Sequence, residues 1–152
     1  MTKVNKLLTR FQKDSDSVGF LFMRAYSCWQ TKIKNCLKKE SITHPQFIVL
    51  ATLAYLSEYE NEITQILLAK KTNIDVMTIS QILENLEKKS FIIRMTSAKD
   101  SRAKSIILTE SGFEKINKTV PLVEEIDHQF FSVLGKDRLI FNEMLLTLLK
   151  NK

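Results

Sequence analysis

The chain has 152 residues, of which 44% are apolar and 26% are charged, and it contains only three Gly, two Pro and two Cys. This length is enough for one domain with a core that needs neither disulfides nor a metal, and the apolar fraction excludes an intrinsically disordered chain. The scarcity of turn-forming residues favours a mostly helical fold. The net charge of +6 indicates an anionic partner.

No segment of the sequence indicates a membrane or an export route. Lys3 and Lys6 are not followed by the apolar stretch of a signal peptide, and the longest apolar run, residues 47–56, is too short to span a bilayer. Cys28 and Cys36 lack the spacing of a zinc site or a disulfide framework. We therefore expect a cytoplasmic protein, without metal or other cofactor, whose single domain covers residues 1–152.

Capping residues and helical periodicity predict four helices in the first part of the chain, over residues 14–39, 43–56, 63–71 and 76–89. Asp75 is placed to cap the fourth helix, and Lys88 and Lys89 at its end suit the helix dipole. The third and fourth helices are short and separated by a short turn. This spacing predicts a helix-turn-helix.

The pattern then changes to strand. Residues 91–94 and 105–108 are β-branched runs, and the polar, basic loop 95–104 joins them into a hairpin. Residues 88–104 carry a net charge of +5. Two more helices follow: one from Thr109 to about residue 134, in which Pro121 is expected to cause a break, kink or restart, and a last one over 136–150. A helix-turn-helix followed by a basic hairpin is the outline of a winged helix.

The fourth helix has two distinct faces when its residues are placed at 100° intervals. Ile79 lies at the centre of a predicted buried face, which also holds Val76, Ile82, Leu83 and Leu86. The outer side carries groups able to contact DNA: Met77, Thr78, Ser80, Gln81, Asn85 and Lys88. Glutamine can pair with adenine and an apolar tip can touch a thymine methyl, so this face predicts A·T pairs beneath it. Any amphipathic surface helix would also have a polar outer face.

The hairpin supplies the second half of the predicted DNA surface. Its candidate contact residues are Arg94, Lys99, Asp100, Arg102 and Lys104. Exposed cations beside a short polar helix suit phosphate and minor-groove contacts, although a charge run alone is also typical of a solvated surface. The two features occurring in this order favour DNA binding.

Four segments carry a resemblance to a known family: residues 64–69 (TQILLA), 75–92 (DVMTISQILENLEKKSFI), 100–102 (DSR) and 108–112 (LTESG). The sequence resembles the multiple antibiotic resistance regulator (MarR) family of bacterial transcription factors. The resemblance is strong over residues 45–112 and rests on helix pattern alone at the two ends. The D-x-R and L-T-E-x-G motifs are its more specific parts.

The resemblance implies a homodimeric winged helix-turn-helix repressor or activator of a pseudo-palindromic operator, and of the two we expect a repressor that is released by a small ligand. By the same resemblance, Thr78, Ser80, Gln81 and Asn85 would face the major groove. Arg102 would enter the minor groove, and Asp100 would hold the hairpin by pairing with a basic residue. Gln81 and Asn85 stand where many members carry a basic residue, and Ala103 replaces a common second arginine.

The ends of the chain independently suggest a dimer. Ile140, Met144 and Leu148 form one apolar stripe, and further leucines make the last helix apolar on more than one side. Leaving such side chains in water forfeits roughly 1.5–3 kcal/mol each, so a partner surface is favoured over a monomer that folds these helices back on itself. We therefore assign residues 43–110 to DNA binding and residues 14–40 and 111–152 to dimerisation.

Three other features leave alternatives open. Tyr26, Trp29 and Phe47 would line the crevice where the family binds small aromatic or anionic effectors, but aromatic residues at helical spacing are also typical of a core. Cys28 and Cys36 could make the protein a thiol-based redox sensor, although both lie among apolar residues. A winged helix used only for protein contacts is the remaining rival. The sequence contains none of the common catalytic motifs, so no enzyme is predicted.

Overall fold

The computed structural model describes residues 7–150, so the predicted domain limits at 1 and 152 and the argument from Lys3 and Lys6 lie outside the described residues. The described range forms six α-helices and one hairpin: α1 (Val18–Lys39), α2 (His44–Leu56), α3 (Gln65–Thr72), α4 (Val76–Lys88), β1 (Ile92–Thr96), β2 (Lys104–Leu108), α5 (Glu110–Phe131) and α6 (Arg138–Lys150). The mostly helical winged helix-turn-helix fold is confirmed. Within residues 7–150, no helix is both long and apolar enough to cross a membrane.

Side-chain caps move several helix starts from their predicted places. The Ser17 hydroxyl accepts from the Phe20 N–H, so α1 begins at Val18, and residues 14–16 form a separate 3₁₀ turn. The Thr64 hydroxyl accepts from the Leu67 N–H and starts α3 two residues later than predicted. A hydroxyl cap fixes a helix start because it satisfies one of the free N–H groups of the first turn.

The winged part of the chain encloses its own apolar core. Fully buried side chains come from α2, α3, α4 and β1, among them Leu50, Leu53, Leu68, Ile79, Leu83, Leu86 and Ile92. The predicted buried face of α4 is therefore confirmed at its centre. The prediction is wrong for Val76, which is about half exposed because it lies in the first turn, beyond the edge of the core. Asn73, in the left-handed conformation, ends α3 and starts the turn to α4.

The hairpin is anchored to the body of the domain on its outer edge. Strands β1 and β2 pair antiparallel, with Ile92 opposite Leu108 and Thr96 opposite Lys104. On the free edge of β2, the Ile106 N–H donates to the Ile63 carbonyl over 2.8 Å, and Thr64 forms a bridge to Ser105. The segment before α3 therefore pairs with the outer edge of β2, and this pairing fixes where the hairpin leaves the core.

The LTESG motif has a structural role at the start of α5. The Thr109 hydroxyl accepts from the Gly112 N–H and donates to the Ser90 carbonyl over 2.7 Å, which joins the start of α5 to the end of α4. A Cβ atom at Gly112 would lie 2.1 Å from the Phe91 carbonyl oxygen, so only glycine permits this close approach.

Helix α5 runs without interruption through Pro121, so the predicted break or restart at that residue is wrong. Pro121 is exposed, whereas Thr119 and Val123 on either side of it are buried against the core. The Thr119 hydroxyl donates to the Lys115 carbonyl over 2.9 Å. Packing on both sides of the proline therefore outweighs the one backbone hydrogen bond that it removes.

Helices α1 and α5 contribute Ile33, Leu37, Ile116 and Val123 to the core. The first half of α1 and the whole of α6 lie outside this core. No residue of α6 is buried in the single chain. Large apolar side chains at both ends are about half exposed or more: Val18, Phe22, Met23, Leu139, Ile140, Met144, Leu148 and Leu149. This apolar surface, formed by the first half of α1 and by α6, is called the end-helix surface below.

Candidate nucleic-acid interface

The outer face of α4 carries most of the predicted contact residues into solvent. Met77 is 83% exposed, and Gln81 and Asn85 are also exposed. Ser80 is only partly exposed, so its side chain is less accessible than its predicted place on the outer side of the helix indicated. The exposed part of α4 is therefore a polar surface with one flexible apolar tip.

The first turn of α4 is organised by Asp75. Its carboxylate accepts from the Thr78 N–H over 2.9 Å and from the Thr78 hydroxyl over 2.5 Å. These hydrogen bonds, that of the hydroxyl above all, hold the pKa of Asp75 below its ordinary value. Because the hydroxyl proton of Thr78 is used within the protein, its oxygen can offer only lone pairs to a bound molecule.

Helix α3 holds the start of α4 in place through a residue that the sequence analysis missed. The Gln65 side-chain amide donates to the Val76 carbonyl over 3.1 Å. Nothing in the sequence spacing identifies this pair, which joins residues eleven positions apart. The capping position of Thr64, next to Gln65, was the available signal that the region is ordered.

The loop between the strands, called the wing loop (residues 97–103), is internally bonded. The Ser97 hydroxyl oxygen accepts from the N–H groups of Lys99 and Asp100, and the Ala98 N–H donates to Glu62 over 3.0 Å. Asp100 accepts from the Arg102 backbone N–H over 2.9 Å and from its guanidinium over 3.2 Å. These contacts, first that of the backbone N–H, lower the pKa of Asp100.

Arg102 stands out of the loop, and its side chain is 90% exposed despite the contact with Asp100. Lys99 and Lys104 are exposed on either side of it. The pairing of Asp100 with a nearby basic residue, expected from the family resemblance, is present in the structure. It holds the base of the Arg102 side chain without removing the guanidinium from solvent.

Arg94 has a different position. Its Nε and Nη2 donate to one carboxylate oxygen of Glu87 over 3.0 and 2.6 Å, and its backbone N–H contacts the other oxygen. The pair raises the pKa of Arg94 and lowers that of Glu87 through the same hydrogen bonds. It ties β1 to α4, so a contact between Arg94 and DNA stays a prediction that requires this pair to open. Lys88 pairs with Glu84 over 2.8 Å on the exposed side of α4.

A groove of about 720 Å³ separates the wing loop from the start of the helix-turn-helix. Its walls are formed by Thr64, Gln65 and Val76 on one side and by Lys99, Arg102 and Lys104 on the other. The structure thus brings the first turn of α4 and the basic wing loop to the two sides of one groove. Such an arrangement can place a helix in one DNA groove and a cation in the next.

The three aromatic residues predicted to line an effector pocket do not share one cavity. Tyr26 and Trp29, with ring centroids 5.9 Å apart, line a cavity of about 240 Å³ whose other walls include Phe22, Phe130, Phe131 and Phe141. Phe47 is instead buried in the core, because it faces inward from the first turn of α2. The Trp29 indole donates to Asp127 over 2.7 Å and thereby joins α1 to α5.

The two thiols lie on one continuous helix, α1, and their eight-residue separation corresponds to a rise of about 12 Å. They therefore cannot bridge each other within one chain. Although both were placed among apolar residues of the sequence, Cys28 is exposed and Cys36 is partly exposed. Cys28 is open to solvent because the first half of α1 is not covered in the single chain, whereas Cys36 lies in the last turns of α1, beside the buried Leu37.

The fold and this surface define a winged helix-turn-helix protein of the kind that binds DNA. Residues 42–104 match the model of the MarR family. An HTH-type transcriptional regulator of Bacillus subtilis (strain 168), YdcH, is 35% identical over 128 residues, which cover 84% of this chain and 87% of the relative. The chain therefore belongs to the MarR family of transcriptional regulators.

Solved structures of similar proteins share this fold. A DNA complex of MepR from S. aureus shares 26% identity, with a TM-score of 0.78 over 90% of this chain and 96% of that one. BpsR of Bordetella bronchiseptica, whose DNA binding is regulated by 6-hydroxynicotinic acid, has a TM-score of 0.80 at 24% identity, over 91% and 96%. CouR from Rhodococcus jostii RHA1, bound to p-coumaroyl-CoA, has a TM-score of 0.77 at 23% identity, over 91% and 93%.

Proposed function

We propose that this chain is a homodimeric repressor that binds a pseudo-palindromic operator in the cytoplasm and is released from it by a small aromatic or anionic ligand. The observation that carries the proposal is the groove between the first turn of α4 and the wing loop, which combines a polar helix face with exposed cations. The similarity to a MepR–DNA complex supports the same use of this surface. The function is binding, and no catalytic step is involved.

The end-helix surface supports the dimer. A side chain such as Leu139, 70% exposed in the single chain, gains roughly 1.5–3 kcal/mol when a partner covers it. A twofold dimer also places two copies of α4 about one DNA turn apart. We accordingly propose residues 43–110 as the DNA-binding part and residues 14–40 and 111–152 as the dimerisation part.

The geometry suggests a role for each proposed contact. Gln81 and Asn85, exposed on α4, would pair with base edges, and Met77 would touch a thymine methyl. Thr78, whose hydroxyl proton is held by Asp75, would accept from an amino group of adenine or cytosine. Ser80 and Lys88 flank these residues. Arg102 would enter the minor groove, with Lys99 and Lys104 on phosphates, while Asp100 and Arg94 keep the wing in position.

The experiment is a fluorescence-anisotropy titration of DNA from upstream of the chain's own gene, at two salt concentrations. We expect submicromolar affinity that falls steeply with salt, because neutralised phosphates release counterions. Arg102→Ala should weaken binding to all sequences, whereas Gln81→Ala should reduce discrimination at one base pair. Lys39→Ala, which removes a charge from the exposed end of α1, is the matched control for Arg102→Ala.

The result that would contradict the proposal is equally specific. A dimer with no preference over random DNA and no dependence on salt would exclude operator binding. The winged helix would then act through protein contacts. If binding is present but is lost on mild oxidation and restored by a reducing agent, a thiol sensor would replace the ligand-released repressor.

A further inference from the structure

An apolar groove of about 480 Å³ lies on the winged part, where the end of α2, strand β2 and the start of α5 meet. Its lining includes the buried core residues Leu53, Ile63 and Ile106. Ile107 and Phe113 also line it, and their side chains are 44% and 51% exposed. The groove therefore offers apolar surface that is open to a partner.

The charged residues of this groove are acidic. Glu60, Glu62 and Glu110 line it, and no Lys, Arg or His does among the residues that the structure describes. Glu62 accepts from the Ala98 N–H, whereas Glu60 and Glu110 are exposed and form no ion pair within residues 7–150. These carboxylates repel DNA phosphates and attract a cationic partner, although the whole chain has a net charge of +6.

The amino-terminal segment, residues 1–13, has the complementary chemistry. It contains no acidic residue, and its basic residues are Lys3, Lys6, Arg10 and Lys13. Its large aliphatic and aromatic residues after Met1 are Val4, Leu7, Leu8 and Phe11. These four have the spacing i, i+3, i+4, i+7, by which a helix inserts anchors into an apolar groove. At 100° per residue they span about 100°, and the four cations span about 80° beside them.

The described part of this segment, residues 7–13, is not packed against its own chain. Leu7 and Leu8 are 80% and 97% exposed, and Phe11 is 48% exposed. The segment also precedes residues 14–40, which are proposed for dimerisation. Its apolar side chains therefore remain available to a further molecule.

The segment and the groove of one chain lie at opposite ends of α5. Trp29 bonds to Asp127, and Lys115 bonds to the Glu40 carbonyl, so α1 runs antiparallel to α5. The groove lies at the start of α5, about 21 Å before Asp127 along that helix. The segment enters α1 at Val18, about 16 Å before Trp29 and in the other direction. The segment is therefore better placed to reach the groove of another molecule than that of its own chain.

We propose that the groove binds residues 1–13 of a chain from a second dimer. The segment docks as a helix, with its apolar face on Ile107 and Phe113 and its cations beside Glu60 and Glu110. Each dimer has two segments and two grooves, so the contact is heterologous and joins dimers into larger assemblies. The inference takes the dimer from the proposed function and goes beyond it, because it requires no DNA.

The first test is a titration of a fluorescent peptide of residues 1–13 with the full chain, followed by anisotropy. We expect saturable binding that weakens with salt, and no saturation up to about 1 mM for a peptide with Leu7→Ser, Leu8→Ser and Phe11→Ser, which keeps every charge. The double variant Glu60→Gln, Glu110→Gln should weaken binding about tenfold or more. The matched control is Glu124→Gln, Glu143→Gln, which removes the same charge from exposed positions outside the groove.

The second test is sedimentation of the native chain over a range of concentrations. We expect species larger than a dimer at low salt and high concentration. They should be absent from the Glu60→Gln, Glu110→Gln variant and from a chain with Leu7→Ser and Leu8→Ser, both of which should remain dimers.

Three results would overturn the inference: no saturable binding of the native peptide, equal binding of the serine peptide, or equal loss in both glutamate double variants. Binding of poly-lysine that requires Glu60 and Glu110, without binding of the peptide, would assign the groove to a foreign cationic partner instead. If the Leu7→Ser, Leu8→Ser chain loses DNA affinity while its larger assemblies persist, the segment serves DNA. A dimer that binds its operator but neither assembles further nor binds the peptide would leave the proposed function standing alone.

Discussion

The winged part of the chain and the end-helix surface use similar side chains in opposite ways. In the winged part, Leu53, Leu68, Leu83 and Leu86 are completely buried within one chain. On α6, Leu139, Leu148 and Leu149 remain at least 60% exposed. The winged part can therefore fold on its own chain's contacts, whereas the ends of the chain carry apolar surface that only another molecule can cover.

The contrast predicts that protein stability and dimer association depend on different regions of the chain. A substitution in the winged core should reduce the free energy of unfolding, and one on the end-helix surface should reduce association. Both would reduce DNA binding by a dimer. Measuring stability and association separately is therefore the way to distinguish them.

The largest effect is expected for Met144→Asp on α6, where the native side chain is 58% exposed in the single chain. Each protomer would lose an apolar contact of roughly 1.5–3 kcal/mol, so the dimer would lose about 3–6 kcal/mol and its dissociation constant would rise at least a hundredfold. Sedimentation at several concentrations measures this change, and circular dichroism should show that the helices remain.

Asn142→Asp adds the same charge about 200° away on α6 and serves as the control. We expect it to leave the dimer in place. If the native chain sediments as a monomer, or if Met144→Asp remains a dimer, the end-helix surface is not the dimer interface.

The next effect concerns the winged core. Leu83→Ala removes a fully buried side chain from α4 and should lower the free energy of unfolding by about 2–5 kcal/mol, because the cavity cannot fully collapse. Chemical denaturation at one fixed protein concentration measures it. Met77→Ala, on the opposite face of the same helix, should change stability by less than about 0.5 kcal/mol. Similar losses in the two variants would mean that the two faces of α4 are not distinct.

The two faces of α4 were predictable from sequence because the helix has one side in the core and one in solvent. Its apolar residues therefore recur with the helical period. Phe47 was not predictable, because α2 is apolar on nearly every side and its periodicity does not show which side faces a pocket. Pro121 was misjudged for a related reason: local chemistry predicts a break, and the buried neighbours Thr119 and Val123, which outweigh it, are revealed only by tertiary packing.

The charged residues of the candidate site show a similar limit. Charge and spacing identified Arg94 and Arg102 only as basic residues of one hairpin, and the family resemblance alone gave Arg102 a separate role in the minor groove. The structure shows Arg94 bound to Glu87 across the junction of α4 and β1, and Arg102 standing in solvent. Partners such as Gln65 and Val76, or Lys89 and Ser41, join separate elements and leave no pattern in the spacing of residues.

A smaller effect should distinguish these two arginines. Arg94→Gln should lower the free energy of unfolding by about 1 kcal/mol, less than for a buried pair because the Glu87 side chain is 39% exposed. Arg102→Gln should leave stability unchanged and weaken DNA binding. The pair lowers the pKa of Glu87, so its stabilisation is present at neutral pH and is lost as the pH falls through that lowered pKa. Equal stability losses at neutral pH would contradict the distinction.

The smallest effect is expected at His44. This residue begins α2 and packs against Trp29 of α1, where the two compared regions meet. Burial lowers its pKa below the ordinary value of about 6.5, so the unfolded chain binds a proton more readily than the folded one. Stability from the neutral ring is therefore present above about pH 6.5 and decreases as the pH falls toward the lowered pKa. The Asp127 carboxylate favours the charged ring and opposes this shift.

His44→Asn removes the titrating group while keeping a polar side chain at the start of α2. The advantage of the native protein over this variant, measured by denaturation from about pH 7.5 to pH 5.5, should shrink toward acidic pH. An advantage that grows toward acidic pH would mean that the Asp127 carboxylate outweighs burial. The junction would then hold a charged histidine paired with α5, and the winged part and the end helices would be joined more firmly at low pH than at neutral pH.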